Sequence, residues 1–357
     1  MVFFTVLVVA YCLTAVGVGL KVGGPLLVGF GDYLLAFSSA ILLVPVVLYG
    51  RSIGRDDRSV ATRIGDAIRV ARRRHLTNVA VIELGASVLL VAMLMGAFNA
   101  FKFLLPVLHP FSWDARIEEA SRWIHGGHLA FEFLLPVFGS DLATRSLDLL
   151  YYGAWPVVLW GVFVWQVGGR SSLRHQYLLT YAAAWIVLGT FLAIVFSSAG
   201  PAYFGRLYGG ANPYAPLLKR LLDVHQRHPL LAIRVQQALW NAEKAGIASG
   251  GAGVSAMPSL HVAMAELCAI VGRRSERRVV AYSLTAFSAL TLIASVYLGA
   301  HYALDGYVSI IGVHLLWRAS GYLVKRYETV DRSVLAFSPA LVRAIPEAAP
   351  RSVAEAP

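Results

Sequence analysis

The sequence predicts an all-α integral membrane protein of about eight transmembrane helices. The 357 residues are 57% hydrophobic and only 14% charged, whereas soluble globular proteins carry about 25% charged residues. The apolar residues gather in stretches close to the ~20 residues that a helix needs to cross a bilayer. The net charge of +11, from 31 Lys+Arg against 20 Asp+Glu, sits in short basic runs between those stretches. That is the pattern of cytoplasmic loops, not of a nucleic-acid surface. The same composition excludes a disordered chain and argues against an ordinary soluble enzyme. Cys12 and Cys268 lie in apolar stretches and form neither a disulfide framework nor a zinc spacing.

In chain order the spans are 2–20, 25–49, 77–101, 147–167, 177–197, 258–272, 279–299 and 302–322. The first lacks the basic start and the small-residue cleavage site of a signal peptide, so it reads as retained. The sixth is short, and its polar N-terminal end must be buried in protein. Eight arginines fall in 51–76, two in 168–176 and four in 273–278, and the tail opens with Arg318, Lys325 and Arg326. The positive-inside rule makes these segments cytoplasmic, together with the N-terminus. Segments 102–146, 198–257 and the turn at 300–301 face the other side. The short loops point to a bacterial inner membrane, with those segments facing periplasm or exterior. Residues 111–138 and 214–245 have the pattern of amphipathic helices that either rest in the headgroup layer or pack on the helical core. Trp123, Phe131 and Phe133 mark the first, and a stripe of Leu217, Leu218, Leu221 and Leu222 marks the second. Residues 1–76 form two spans with their basic loop. The tail 329–357, rich in Ala and Pro toward its end, is expected to be disordered.

Polar residues converge at span ends on the non-cytoplasmic side. In Pro258-Ser259-Leu260-His261 a proline opens a helix whose free N–H groups form an anion site. Ser259 adds a hydroxyl, and His261 stands one turn in, able to protonate a leaving oxygen. The bland alternative is a proline-started helix with a satisfied histidine. His301 and Asp305 are i and i+4 on the eighth span, so they share a face. The carboxylate can hold one ring nitrogen and leave the other free as a nucleophile; equally, such a pair can merely satisfy itself. A zinc site is the competing reading, with a further ligand from His225, His228 or Glu266, but no compact ligand spacing supports it. Other ionisable residues in or near spans are Asp32, Glu83, Lys102 and Asp148. Asp148 either caps the fourth span or hydrogen-bonds within the bundle. The basic residues of 198–257, among them Arg206, Lys219, Arg220, Arg234 and Lys244, serve either an anionic substrate or a solvated helix face.

On these residues the sequence resembles the type 2 phosphatidic acid phosphatase superfamily. The second motif, P-S-G-H, matches Pro258-Ser259-Leu260-His261 with Leu for Gly. The third, S-R-x5-H-x3-D, matches in His301 and Asp305, with Ala294 and Ser295 at the Ser and Arg positions. The first, K-x6-R-P, is not found. The segments around the two histidines, with Gly200-Pro201-Ala202-Tyr203 and Asp148 to Trp155, are similar to the inositol phosphorylceramide synthase branch. The resemblance implies a catalytic membrane domain over 77–328 with a six-helix core. It implies that His301 attacks phosphorus to form a phosphohistidine, that Asp305 orients it, and that His261 protonates the leaving alkoxide. Pro258, Ser259, Tyr203, Arg206, Lys219 and Asp148 are the candidate substrate-binding residues. No metal or other cofactor is implied. The partners are a phospholipid donor and a lipid hydroxyl acceptor, or water, in the bilayer, and no nucleic acid. The expected reaction is transfer of a phosphoryl-linked headgroup. The rivals are a lipid phosphate phosphatase on the same site and a non-enzymatic transporter or binding protein.

Overall fold

The computed structural model describes residues 2–42, 78–167, 172–210, 212–248 and 253–343. They form helices and connecting turns, with no strand among the described residues. The helices are α1 (Val2–Val22), α2 (Phe30–Leu42), α3 (Asn78–Leu108), α4 (Asp114–Ile124), α5 (Ala130–Phe138), α6 (Asp141–Val167), α7 (Ser172–Val195), α8 (Phe204–Tyr208), α9 (Ala215–Arg227), α10 (Leu231–Ala245), α11 (Leu260–Arg273), α12 (Arg278–Tyr297) and α13 (Ala303–Arg343). The chain is an integral membrane protein. Five of its described helices are long and apolar enough to span a bilayer: α1, the part of α3 from Gly85 to Leu108, α6, α7 and α12.

The other three expected spans take different forms. Span 25–49 begins as α2, and its remainder, with the arginine-rich loop, lies outside the described residues. Span 302–322 is the first half of α13, which continues to Arg343, so residues 329–343 of the expected tail are helical. Span 258–272 is α11, with 14 residues, or ~21 Å at 1.5 Å per residue. That is too short to cross ~30 Å of hydrocarbon. Its eleven residues from Val262 to Gly272 are all buried, because a helix apolar on every side is stable only when surrounded. α12, α13, α6 and α7 enclose it. Small residues allow these helices to approach closely, the usual device where lipid offers no hydrophobic drive. A Cβ on Gly306 of α13 would lie 2.2 Å from Leu292 of α12.

The segments expected to be amphipathic helices are α4, α5, α9 and α10. Their inward faces bury Ile117, Phe131, Leu217, Leu221 and Ile233 against α12, the start of α13 and the α6 turn. They pack on the helical core and form a cap over one end of the bundle. Their outward faces keep Trp123 and Phe133 exposed. Asp141 ties the cap to α6, accepting from Arg220 at 2.7 Å and from Arg227 at 2.9 Å. That contact holds the Arg227 guanidinium even more firmly protonated than usual.

Candidate active site

The catalytic candidates meet beneath this cap. α11 begins at Leu260, with Ser259 as its N-cap and the Ser259 side chain accepting from the Val262 N–H. Pro258 thus precedes the helix instead of occupying its first turn, and the fully buried Ser259 is occupied as a cap. One residue into the helix, the His261 ring stacks on Tyr151 at a 4.5 Å centroid distance and lies 4.4 Å from Trp155. Trp155 also donates its indole N–H to the His261 carbonyl at 2.9 Å. Tyr151 lies in the π-helical turn of α6, Leu149–Ala154, and Trp155 directly follows it. Such wide turns re-aim side chains and recur at functional sites.

The His301 ring faces His261 at a centroid distance of 6.5 Å. Its Nδ1 lies 2.8 Å from the Ala256 carbonyl and 3.4 Å from Asp305 Oδ2. A carbonyl only accepts, so Nδ1 carries the proton in the neutral ring, and Nε2 keeps its lone pair. The tautomer is therefore held by two acceptors, and Ala256 is the nearer. Asp305 is fully buried. Its Oδ2 accepts the Tyr302 N–H at 2.9 Å, and Oδ1 has no partner among the described residues.

A second carboxylate organises the surrounding loops. Asp114, fully buried at the start of α4, accepts the Ala199 and Gly200 N–H groups and the Tyr302 hydroxyl, the latter two at 2.7 and 2.8 Å. Gly200 has φ +101°, where side chains are disfavoured, and a Cβ there would stand 2.8 Å from the Ala300 carbonyl. Ser198 accepts the Ala256 N–H through its carbonyl and the Met257 N–H through its hydroxyl. Three distant chain segments are thus clamped around the two histidines. Sequence reasoning missed Asp114 and the Ala256 carbonyl. Their partners lie 45 to 188 residues away, and no local pattern marks them.

Both imidazoles open on a cavity of about 420 Å³. Its walls run into the bundle along Trp155, Leu159 and Phe163 of α6, a stretch of ~12 Å along the helix. Met95 and Phe98 of α3 and Tyr181 and Trp185 of α7 complete an aromatic and aliphatic lining. Such a room suits a hydrocarbon chain with its polar end at the histidines.

Of the substrate-binding candidates, Pro258 and Tyr203 line this cavity. Burial pushes the Tyr203 phenol above its ordinary range, so it stays protonated and donates to the Gln236 carbonyl at 2.9 Å. Arg206 stacks over Trp240 and lines a separate recess of about 220 Å³ behind Tyr203. Lys219 is exposed on α9, away from both cavities. Asp148 accepts the Leu231 and Ala232 N–H groups, each at 2.7 Å, and so caps α10 across a tertiary contact. Arg220 is paired with Asp141, Lys244 stacks on Trp240, and Arg234 is exposed. The ligands a zinc site would need do not converge: no group of three His, Cys, Asp or Glu forms among the described residues. His225 accepts the Leu230 N–H, and Glu266 faces Arg273.

A family profile described as the PAP2 superfamily matches residues 119–321, which include both histidines and Asp305. No curated protein and no solved structure matches the chain.

Proposed function

Because the chain belongs to the PAP2 superfamily, whose members are phosphatases or phosphotransferases acting on lipid phosphates, we propose that it transfers a phosphoryl-linked headgroup from a phospholipid to a lipid hydroxyl. One observation carries the reading: two imidazoles, their centroids 6.5 Å apart, at the mouth of a long apolar cavity. Rings so spaced are close enough for a single phosphoryl group to reach both imidazoles.

In this mechanism the Nε2 lone pair of His301 attacks phosphorus while the proton stays on Nδ1, which donates toward the Ala256 carbonyl and the Asp305 carboxylate. The P–O bond to the departing lipid alkoxide breaks, and His261 supplies the proton that alkoxide takes up. An acceptor hydroxyl then gives its proton to His261 and attacks the phosphohistidine. The P–N bond breaks, and His301 is restored. Asp305 offsets the positive charge that His301 carries in the intermediate.

The apolar depth of the cavity and its shortage of cations favour a singly charged lipid phosphodiester over a doubly charged monoester. The similarity of 145–320 to the inositol phosphorylceramide synthase branch makes an inositol phosphate-like headgroup the leading candidate. The test is product analysis by mass. Purified protein in detergent receives a set of phospholipids with and without a hydroxylated lipid. Headgroup transfer that requires the acceptor is the expected result. Rapid release of phosphate from a lipid monoester, with no transfer, assigns the same site to hydrolysis. No phosphorus chemistry on any lipid leaves the transporter reading.

A further inference from the structure

The two imidazoles are held in different ways. His301 has its Nδ1 fixed by the Ala256 carbonyl and by Asp305. The ring nitrogens of His261 make no hydrogen bond among the described residues; Trp155 bonds the backbone carbonyl, not the ring. What fixes that ring is aromatic surface. Tyr151 is buried and lies nearly parallel to it, at 17° and 4.5 Å between centroids, and Trp155 meets it at 40° and 4.4 Å. Among the described residues no ring contact joins Tyr151 to Trp155, so the imidazole lies between them.

An acid must carry its proton before it can give it away, so His261 needs support as an imidazolium. Among the described residues no carboxylate comes within 4.0 Å of its ring, and the cavity lining contains no Asp or Glu. Asp305 faces His301 Nδ1 and the Tyr302 N–H instead. The other titratable groups of the lining are His301, Lys102 of α3 and the phenols of Tyr33, Tyr152, Tyr181 and Tyr203. His301 and Lys102 stand within electrostatic reach of His261 and, when protonated, repel a second positive charge. Aromatic faces attract one, over distances up to ~6 Å from the ring centroid. Tyr151 and Trp155 both stand well inside that range.

Building on the reading of His261 as the proton donor, we propose that Tyr151 and Trp155 are its positioning residues: their π faces hold the ring and stabilise its imidazolium form, in place of the carboxylate that serves His301. A ring held by its faces keeps both nitrogens available. It can therefore give a proton to the leaving alkoxide and take one from the acceptor hydroxyl without breaking a hydrogen bond to the protein.

The test uses the full chain in neutral detergent and has two readouts. The first is the titration of the His261 ring, followed by NMR with isotope-labelled histidine and assigned by the signal lost in His261→Ala. Tyr151→Leu is expected to lower its midpoint by about one pH unit, the scale of one cation–π contact. Tyr151→Phe keeps the face and is expected to leave the midpoint in place. The second readout is the pH profile of kcat on a lipid substrate. Its alkaline limb, where the acid loses its proton, is expected to move to lower pH by the same amount in Tyr151→Leu. There kcat falls and KM changes little, while a p-nitrophenyl phosphodiester, whose leaving group needs no proton, is turned over nearly as before. The proposal is overturned if the ring of the unsubstituted protein never charges over the pH range in which the protein stays folded, or if folded Tyr151→Leu keeps both midpoint and limb. It is also overturned if Tyr151→Phe loses as much as Tyr151→Leu, which assigns the effect to the hydroxyl, or if Tyr151→Leu loses both substrates equally, which marks packing alone. Should Tyr151→Leu fail to fold, replacing Tyr151 by a ring-trifluorinated phenylalanine keeps the shape and weakens the π face, and an unshifted midpoint there overturns the proposal as well. His261→Ala separates this proposal from the reading it rests on. If that variant stays active, the acid role fails whatever Tyr151 does; if it is inactive while Tyr151→Leu titrates and turns over unchanged, only the present proposal fails.

Discussion

Helix α11 carries two ionisable clusters built on opposite plans. From its middle to its C-terminal end, Glu266 has both oxygens occupied: Arg273 and His314 donate to one at 2.6 and 3.0 Å, and Ser288 donates to the other at 2.7 Å. Its partners reach the surface, with the Arg273 and His314 side chains 39% and 43% exposed. At the N-terminal turn His261 touches aromatic faces, Asp305 keeps an oxygen without a partner among the described residues, and both histidines look into an open cavity. Buried polar groups are normally saturated, and those that are not call for an explanation. The first cluster holds helices together. The second leaves two imidazoles lining space that a substrate can occupy.

Variants at the two clusters should therefore behave differently. The largest effect is expected from His301→Ala: turnover falls by about 10³-fold or more, as for loss of a nucleophile, with little change in thermal stability. Retained turnover in lipid assays would remove the nucleophile from His301. Next comes His261→Ala, with a loss of about 10²–10⁴-fold on a natural lipid, the range of general acid catalysis. A p-nitrophenyl phosphodiester needs no proton on its leaving group and should recover much of that loss. An equal loss on both substrates argues against an acid role.

Asp305→Asn sharpens the contrast. Where a carboxylate alone sets a histidine tautomer, its amide variant costs about 10⁴-fold in turnover. Here the Ala256 carbonyl also holds Nδ1, so a smaller loss in kcat is expected, with KM nearly unchanged. A loss as large as that of His301→Ala would mean that the charge, not the tautomer, is the contribution of Asp305. The smallest catalytic effect is expected from Glu266→Gln. It should lower the melting temperature, at about 1–3 kcal/mol for disrupted buried hydrogen bonds, and leave kcat intact below that temperature. A selective loss of kcat would break the distinction between the two clusters.

Much of this was legible in the chain. The i, i+4 spacing of His301 and Asp305 placed them on one helix face. The six-residue link 273–278 made α11 and its successor neighbours, and so drew His261 toward His301. Other features had no local signature. Asp148 stands at the start of an apolar stretch, yet its bonds go to Leu231 and Ala232, over eighty residues on. Lys102 is one of several ionisable residues in apolar stretches, and only the packing of α3 against α7 and the Gly253 segment turns it into the cavity. The basic residues of 198–257 read as a group but divide into an ion pair, stacked cations and the exposed Lys219 and Arg234.

Composition and periodicity alone determined that the chain is helical, that it lives in a membrane and where most of its helices run. These are properties of each segment's own exchange with lipid and water, and they need no partner. Tertiary structure decided that α11 is a buried strut too short to span, that Asp148 is a helix cap, and that Asp114 clamps the loops around the imidazoles. Those outcomes depend on which hydrogen-bonding and apolar groups meet after distant segments pack. The spacing of residues along the chain does not encode them.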